Sequence, residues 1–183
     1  MIQIRSNVFE TNSSSSHSLV VLKEDKPLEG MIDPQYYVTD EGRMYLYDYD
    51  MEFGRSPFNI LTNWYHRMCY AFASFANDDI TRDHIIDILY KRIAGLREII
   101  FPKNPWYDDE TDDEEQKFCY GYVDHQSMGL LSNFLLEHDV SLEDFIFNDR
   151  YLVIIDGDEY RIFDTIQQLP FWNGNGVEEI VNA

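Results

Sequence analysis

Residues 58–75 read FNILTNWYHRMCYAFASF, and the reading of this stretch decides the fold class. Phe58, Leu61, Tyr65, Met68, Phe72 and Phe75 recur at three- and four-residue steps, the spacing that lines one stripe of an α-helix. A second helix is predicted from about Thr81 to Ile100, with Ile85, Leu89, Ile93, Leu96 and Ile100 on its buried face. Thr81 is its expected N-cap after Asn77-Asp78-Asp79, and Pro102 and Pro105 end it. Cys69, inside the first helix, reads as a small buried hydrophobe.

Outward from this pair the periodicity changes. Toward the N-terminus, Ile2-Gln3-Ile4-Arg5 alternates and runs on to Val8-Phe9, predicting a first strand, and Ser18–Leu22 predicts a second. Thr11 to Ser16 between them is polar and turn-rich. Gln35–Thr39 and Arg43–Tyr49 read as a hairpin around Asp40-Glu41-Gly42. Toward the C-terminus, Phe118–Val123 reads as a strand and Met128–Leu136 as a short helix. Ser141, with Glu143 and Asp144 in the next turn, starts another. Tyr151–Ile155 and Glu159–Phe163 flank Asp156-Gly157-Asp158, a hairpin signal, and the last dozen residues read as loosely ordered. The expected class is α+β, with short antiparallel strands at both ends around a central helical pair. One domain is expected over residues 1–183. It divides into an N-terminal β module (1–50), the helical pair (57–101), an acidic loop (108–115) and an αβ region with a C-terminal hairpin (117–166).

Composition excludes several classes. With 183 residues, 44% hydrophobic and 15% aromatic, the chain has enough apolar surface to offset chain entropy, which argues against global disorder. Two cysteines, Cys69 and Cys119, cannot build a disulfide framework. No apolar run approaches the roughly 20 residues of a membrane span, and MIQIRSNVFE lacks the layout of a signal peptide. A soluble protein of a reducing cytoplasm is the expectation. The formal net charge is −20, from 14 Lys and Arg against 34 Asp and Glu. Seven of the eight residues in DDETDDEE, Asp108–Glu115, are acidic, and removing those seven charges still leaves −13. Such a chain repels phosphates and is expected to bind free nucleic acid weakly or not at all. Its acidity is either a well-hydrated surface or a means of docking on a strongly basic partner.

The densest polar constellation is RSNVFETNSSSSHS, residues 5–18. A loop of small hydroxyl residues exposes backbone N–H groups that can hold an anion. Arg5 can pair with a phosphate bidentately, His17 titrates near neutral pH, and Glu10 can orient it or serve as a second acid–base group. These are the parts that RNA cleavage requires: a base for the 2′-hydroxyl, a cation for the developing charge and an acid for the leaving oxygen. A serine nucleophile activated by His17 is the weaker chemical option, since no glycine-flanked elbow accompanies it. The same residues also favour turns and linkers for reasons unrelated to chemistry.

Other constellations carry less. Asp83, His84 and Asp87 lie on one predicted helix, and Asp124-His125 and Glu137-His138-Asp139 also offer ligand atoms, without matching spacing. No cofactor or metal is expected. Arg43, Tyr45, Tyr47 and Tyr49 share one face of a predicted strand. They can stack bases, although tyrosines in such a place more commonly pack against helices with hydroxyls at the edge.

The stretch RSNVFETNSSSSHS resembles a signature at the start of small proteins from bacteriophages and mobile elements, some of which look like type II-A anti-CRISPR proteins of a kind associated with truncation of the guide RNA. The resemblance is specific over Arg5 to Ser18 and weak beyond. It implies a partner, the basic type II CRISPR effector nuclease with its guide RNA, met in the cytoplasm of a bacterial host. Arg5, Glu10, Asn12, Ser14, Ser16 and His17 are carried over as candidate catalytic positions; Arg43, Tyr45, Tyr47, Asp108, Asp109, Asp112 and Asp113 are candidate binding positions. The first reading is thus an inhibitor that acts through truncation or processing of the guide, with ribonuclease-like activity dependent on the effector. The alternative is a non-catalytic acidic inhibitor that blocks a basic nucleic-acid groove. The third is a mobile-element transferase unrelated to CRISPR, suggested by an arginine, a serine motif and a glutamate.

Overall fold

A computed structural model of the chain describes residues 16–23, 37–54, 59–104, 117–156 and 177–182. In chain order these form β1 (Ser16–Leu22), β2 (Arg43–Tyr45), β3 (Glu52–Phe53), β4 (Asn59–Leu61), α1 (Trp64–Ser74), α2 (Asp79–Arg92), β5 (Glu98–Ile100) and β6 (Tyr122–Val123). There follow α3 (Leu130–Glu137), α4 (Leu142–Phe147), β7 (Tyr151–Asp156) and β8 (Val177–Asn182). Helices and small sheets coexist, and the fold is α+β. No helix among the described residues is long and apolar enough to cross a membrane.

The principal sheet has the order β4-β7-β1-β8, all neighbours antiparallel. Its four strands come from distant parts of the chain, so β1 finds its partners in β7 and β8. Both sides of β7 are taken, by β1 and by β4. The expected arm Glu159–Phe163 and the expected strand from Ile2 to Phe9 lie outside the described residues. Asn173 to Gly176 lie outside the described residues. The expectation of a loosely ordered tail is corrected over Val177–Asn182, which is a strand paired along β1 from Leu22 to Ser18 and, among the described residues, the edge of the sheet. Backbone pairing, which composition does not display, orders it.

α1 carries the core. Trp64, Tyr65, Arg67 to Ala73 are all buried, so the helix is covered nearly all round, as expected of one packed on several sides. It starts at Trp64 and not at Phe58. Asn63 caps it by accepting from the His66 N–H at 2.9 Å, and Asn59–Leu61 pairs with β7 instead. Trp64 stacks on Phe147 of α4 with ring centroids 5.5 Å apart. Cys69 is fully buried, and burial pushes its thiol pKa up, which fits the structural role expected of it.

Arg67 is the least expected member of this core. Its Nε donates to the carbonyls of Phe145 and Ile146 at 3.0 Å, Nη1 to those of Thr62 and Tyr151, and Nη2 to the Asp149 carboxylate at 3.0 Å. One guanidinium thus ties α1 to the end of α4 and the start of β7. Removing one partner of such a buried pair typically costs about 3–5 kcal/mol, because the remaining groups lose their compensation.

α2 is shorter than its apolar pattern implies. Asp78, not Thr81, is the N-cap: its carboxylate accepts from the Thr81 N–H at 3.1 Å and from the Thr81 hydroxyl at 2.7 Å. The helix stops at Arg92, Gly95 turns the chain at φ +80°, and residues 98–100 become β5, which runs parallel to β2. Leu96 is still buried, but from a turn. The hairpin turn at Asp40-Glu41-Gly42 is present: Thr39 N–H donates to Arg43 O at 2.9 Å and Val38 bridges Met44. Gly42 sits at φ +81°, and a Cβ there would lie 2.6 Å from the Gly95 carbonyl. Phe118–Val123 is likewise broken. Phe118 bridges Lys103, Gly121 turns at φ +79°, and only Tyr122–Val123 forms a strand, parallel to β3.

Candidate functional site

β1 starts two residues before the apolar run, so the end of the serine-rich segment belongs to the sheet. Alternation along the strand then decides the fate of His17. Leu19 and Val21 enter the main core with Val153 and Ile155 of β7, and His17, opposite Ile155, lies on that same face. The imidazole is fully buried. Its Nδ1 lies 3.1 Å from the Tyr70 hydroxyl of α1, and an imidazole N–H donates to the backbone carbonyl of Phe53 in β3. With the proton used on that carbonyl, Nδ1 accepts from Tyr70.

Burial pushes the His17 pKa down from 6.5 to about 4, against the opposing pull of the nearby Asp124 charge and of the Phe53 carbonyl. The ring is therefore neutral at pH 7. Near-neutral titration, expected from residue type, is corrected by desolvation, and an imidazole with its hydrogen-bonding edges engaged inside a core is not a solvent-reachable proton shuttle. Tyr70 is buried too, which raises its phenol pKa, while a hydrogen bond with the Ser74 side chain pulls it back. The Phe53 ring meets Tyr70 edge-on at 5.2 Å.

The far side of this network is the 3₁₀ turn His125–Ser127, which packs against β1. Asp124 caps the turn by accepting from the Gln126 N–H at 3.0 Å, is buried, and lies 3.2 Å from Nδ1 of exposed His125. Ser127 Oγ is buried without a hydrogen-bond partner among the described residues. Ser74, Tyr70, His17, the Phe53 carbonyl and Asp124 thus make a polar seam through an apolar core. Tyr70 is absent from the sequence-based candidates because it lies off the stripe of Phe72 and Met68. The signal that could have found it is a helix with no polar face, which buries its hydroxyls too. The signal for His17 was its period-two relation to Leu19 and Val21.

Arg5, Glu10, Asn12 and Ser14 lie outside the described residues, as do Asp108, Asp109, Asp112 and Asp113. Ser16 is described by its backbone, which pairs with Asp156. At a second place the structure brings Arg43 against Tyr45, and it sets Tyr47 against Tyr49. Arg43 Nε lies 3.3 Å from a Glu98 carboxylate oxygen, and the guanidinium also donates to the Tyr45 hydroxyl. Tyrosines packed against helices were the expectation, and the structure corrects it: Tyr45, Tyr47 and Tyr49 are 40%, 47% and 69% exposed. Met44 and Leu46 take the inward positions of the alternation, which leaves Tyr45 and Tyr47 outward. The strand expected to run to Tyr49 ends at Tyr45, and Tyr49 is exposed from the 3₁₀ turn Asp48–Asp50.

Asp83, His84 and Asp87 are exposed on α2, and among the described residues no three potential metal ligands gather. No protein-family profile, curated protein or solved structure matches the chain.

Proposed function

We propose that this chain is an inhibitor of a type II CRISPR RNA-guided nuclease in a bacterial host, and that it works by occupying the basic nucleic-acid groove of the effector. The N-terminal signature supports the choice of partner, and the charge of −20 supports the mode, since a basic groove attracts such a surface and free nucleic acid does not. Guide truncation is the other route the signature implies. The observation that favours occupation is the burial of His17, which holds the motif's imidazole neutral and hydrogen-bonded inside the core. Cleavage of RNA by this motif would need that ring exposed to a 2′-hydroxyl.

The test compares effector–guide complex and guide RNA alone, each incubated with the wild-type chain and with His17→Gln. Target cleavage and guide length are both read by denaturing electrophoresis. Occupation gives loss of target cleavage with guide of full length, retained by His17→Gln, and relieved steeply as salt rises. Guide that shortens with the wild type and stays intact with His17→Gln would restore the ribonuclease reading. Undiminished target cleavage across type II effectors would remove both.

A further inference from the structure

We infer that the outward tyrosines after β2, Tyr47 and Tyr49, with the carboxylates of Asp48 and Asp50 in the same turn, form a docking surface for an arginine-rich segment of a partner protein. Tyr47 and Tyr49 stack on each other with centroids 5.3 Å apart and planes 12° from parallel, although both are largely exposed. Rings held like this are preorganised. Tyr47 and Tyr49 bracket a 3₁₀ turn, Asp48–Asp50, in which Asp50 N–H donates to Tyr47 O at 3.1 Å and Met51 N–H to Asp48 O at 2.9 Å. Asp48 Oδ1 accepts from the Tyr49 N–H at 2.9 Å, the Tyr65 hydroxyl donates to Asp50 Oδ2 at 2.9 Å, and Met51 is fully buried as the anchor.

The sign of the charge selects the occupant. Residues 40–52 contain Asp40, Glu41, Asp48, Asp50 and Glu52 against one cation, Arg43, which is already engaged by Glu98 and the Tyr45 hydroxyl. Surfaces that stack nucleic-acid bases combine aromatic rings with a positive groove for the backbone. Here the rings sit in a negative field, which repels phosphate and attracts cations. Desolvation raises the Tyr49 phenol pKa most, and the neighbouring Asp50, Tyr47 and Asp48 add to it in the same direction. A planar guanidinium can lie on a tyrosine face and donate to a carboxylate at once, whereas an ammonium offers only a point charge. Arginine is therefore favoured over lysine. The inference goes beyond the nuclease reading and is tested without the effector.

The probes are a nona-arginine peptide, a nona-lysine peptide and an oligouridylate, each titrated at about 150 mM salt, where charges farther apart than roughly 8 Å are screened. The arginine peptide is expected to bind more tightly than the lysine peptide, and the oligouridylate not to bind. Tyr47→Ala with Tyr49→Ala should weaken the arginine peptide roughly tenfold, the scale of two exposed cation–π contacts. Tyr47→Phe with Tyr49→Phe should bind like the wild type, since the ring faces remain. Equal binding of both peptides, undisturbed by the alanine changes, would reduce the effect to net charge and overturn the inference. Oligouridylate binding lost with the same alanine changes would replace it with a base-stacking surface.

Discussion

A histidine beside a carboxylate ordinarily gains affinity for its proton, and His17 loses it because desolvation outweighs the Asp124 charge. That imbalance has a consequence for stability. The unfolded chain takes up the proton near pH 6.5 and the native chain only near 4, so the unfolded state binds more protons between those values. The contribution of neutral His17 is complete above pH 6.5 and declines as pH falls toward 4. It amounts to about 3 kcal/mol in all. Urea unfolding of the wild type and His17→Gln at about pH 7 and about pH 4.5 measures it, with the carboxylates common to both proteins. The wild type should lose about 2–3 kcal/mol more than the variant. Equal losses would mean that the ring is solvated. His17, Tyr70 and Arg67 share one lesson: the sequence gives their donors and acceptors, while their partners, Phe53, Asp149 and the α4 carbonyls, lie far along the chain.

At the scale of elements, helix starts were legible where a cap residue stood alone. Ser141 accepts from the Asp144 N–H at 3.0 Å, as its position before an acidic first turn implied. Where several candidates crowded together, the nearer cap won, and Asp78 took the place expected of Thr81. Ser141→Ala should cost about 0.5–2 kcal/mol, and Asp78→Ala a similar amount, whereas Thr81→Ala should cost less, since Thr81 serves the cap without being it. Urea midpoints check the order, and a larger loss for Thr81→Ala than for Asp78→Ala would reverse the assignment. Of the very short strands, β2 and β6 lie inside the strands expected over Arg43–Tyr49 and Phe118–Val123, whereas β3 and β5, and the true lengths of all four, were not legible. β2, β3, β5 and β6 have two or three residues each, too few to display an alternation, and they exist because β2 meets β5 and β3 meets β6 in parallel across long stretches of chain.

For the whole molecule, the charge of −20 opposes compaction, and exposed ion pairs such as Arg43–Glu98 and Arg92–Glu143 offset that repulsion only weakly. Raising salt from about 0.01 M to about 0.1 M shortens the screening length from roughly 30 Å to 10 Å. The melting temperature should therefore rise, by about 2–4 °C for each kcal/mol of repulsion removed. Differential scanning calorimetry across that range tests this, and a fall would mean that the ion pairs matter more than the net charge.

The sequence by itself determined the α+β class, the apolar core of α1, the turn at Gly42, the cap at Ser141 and the sign of the surface, because each follows from local periodicity, backbone freedom or a count of charges. Only the tertiary structure decided that β8 joins β1, that His17 is an interior group, and that Tyr45, Tyr47 and Tyr49 look outward. Those outcomes depend on which side of a strand meets the helices and which distant segment pairs with its edge; the spacing of neighbouring residues says which side chains share a face, and not which face is covered.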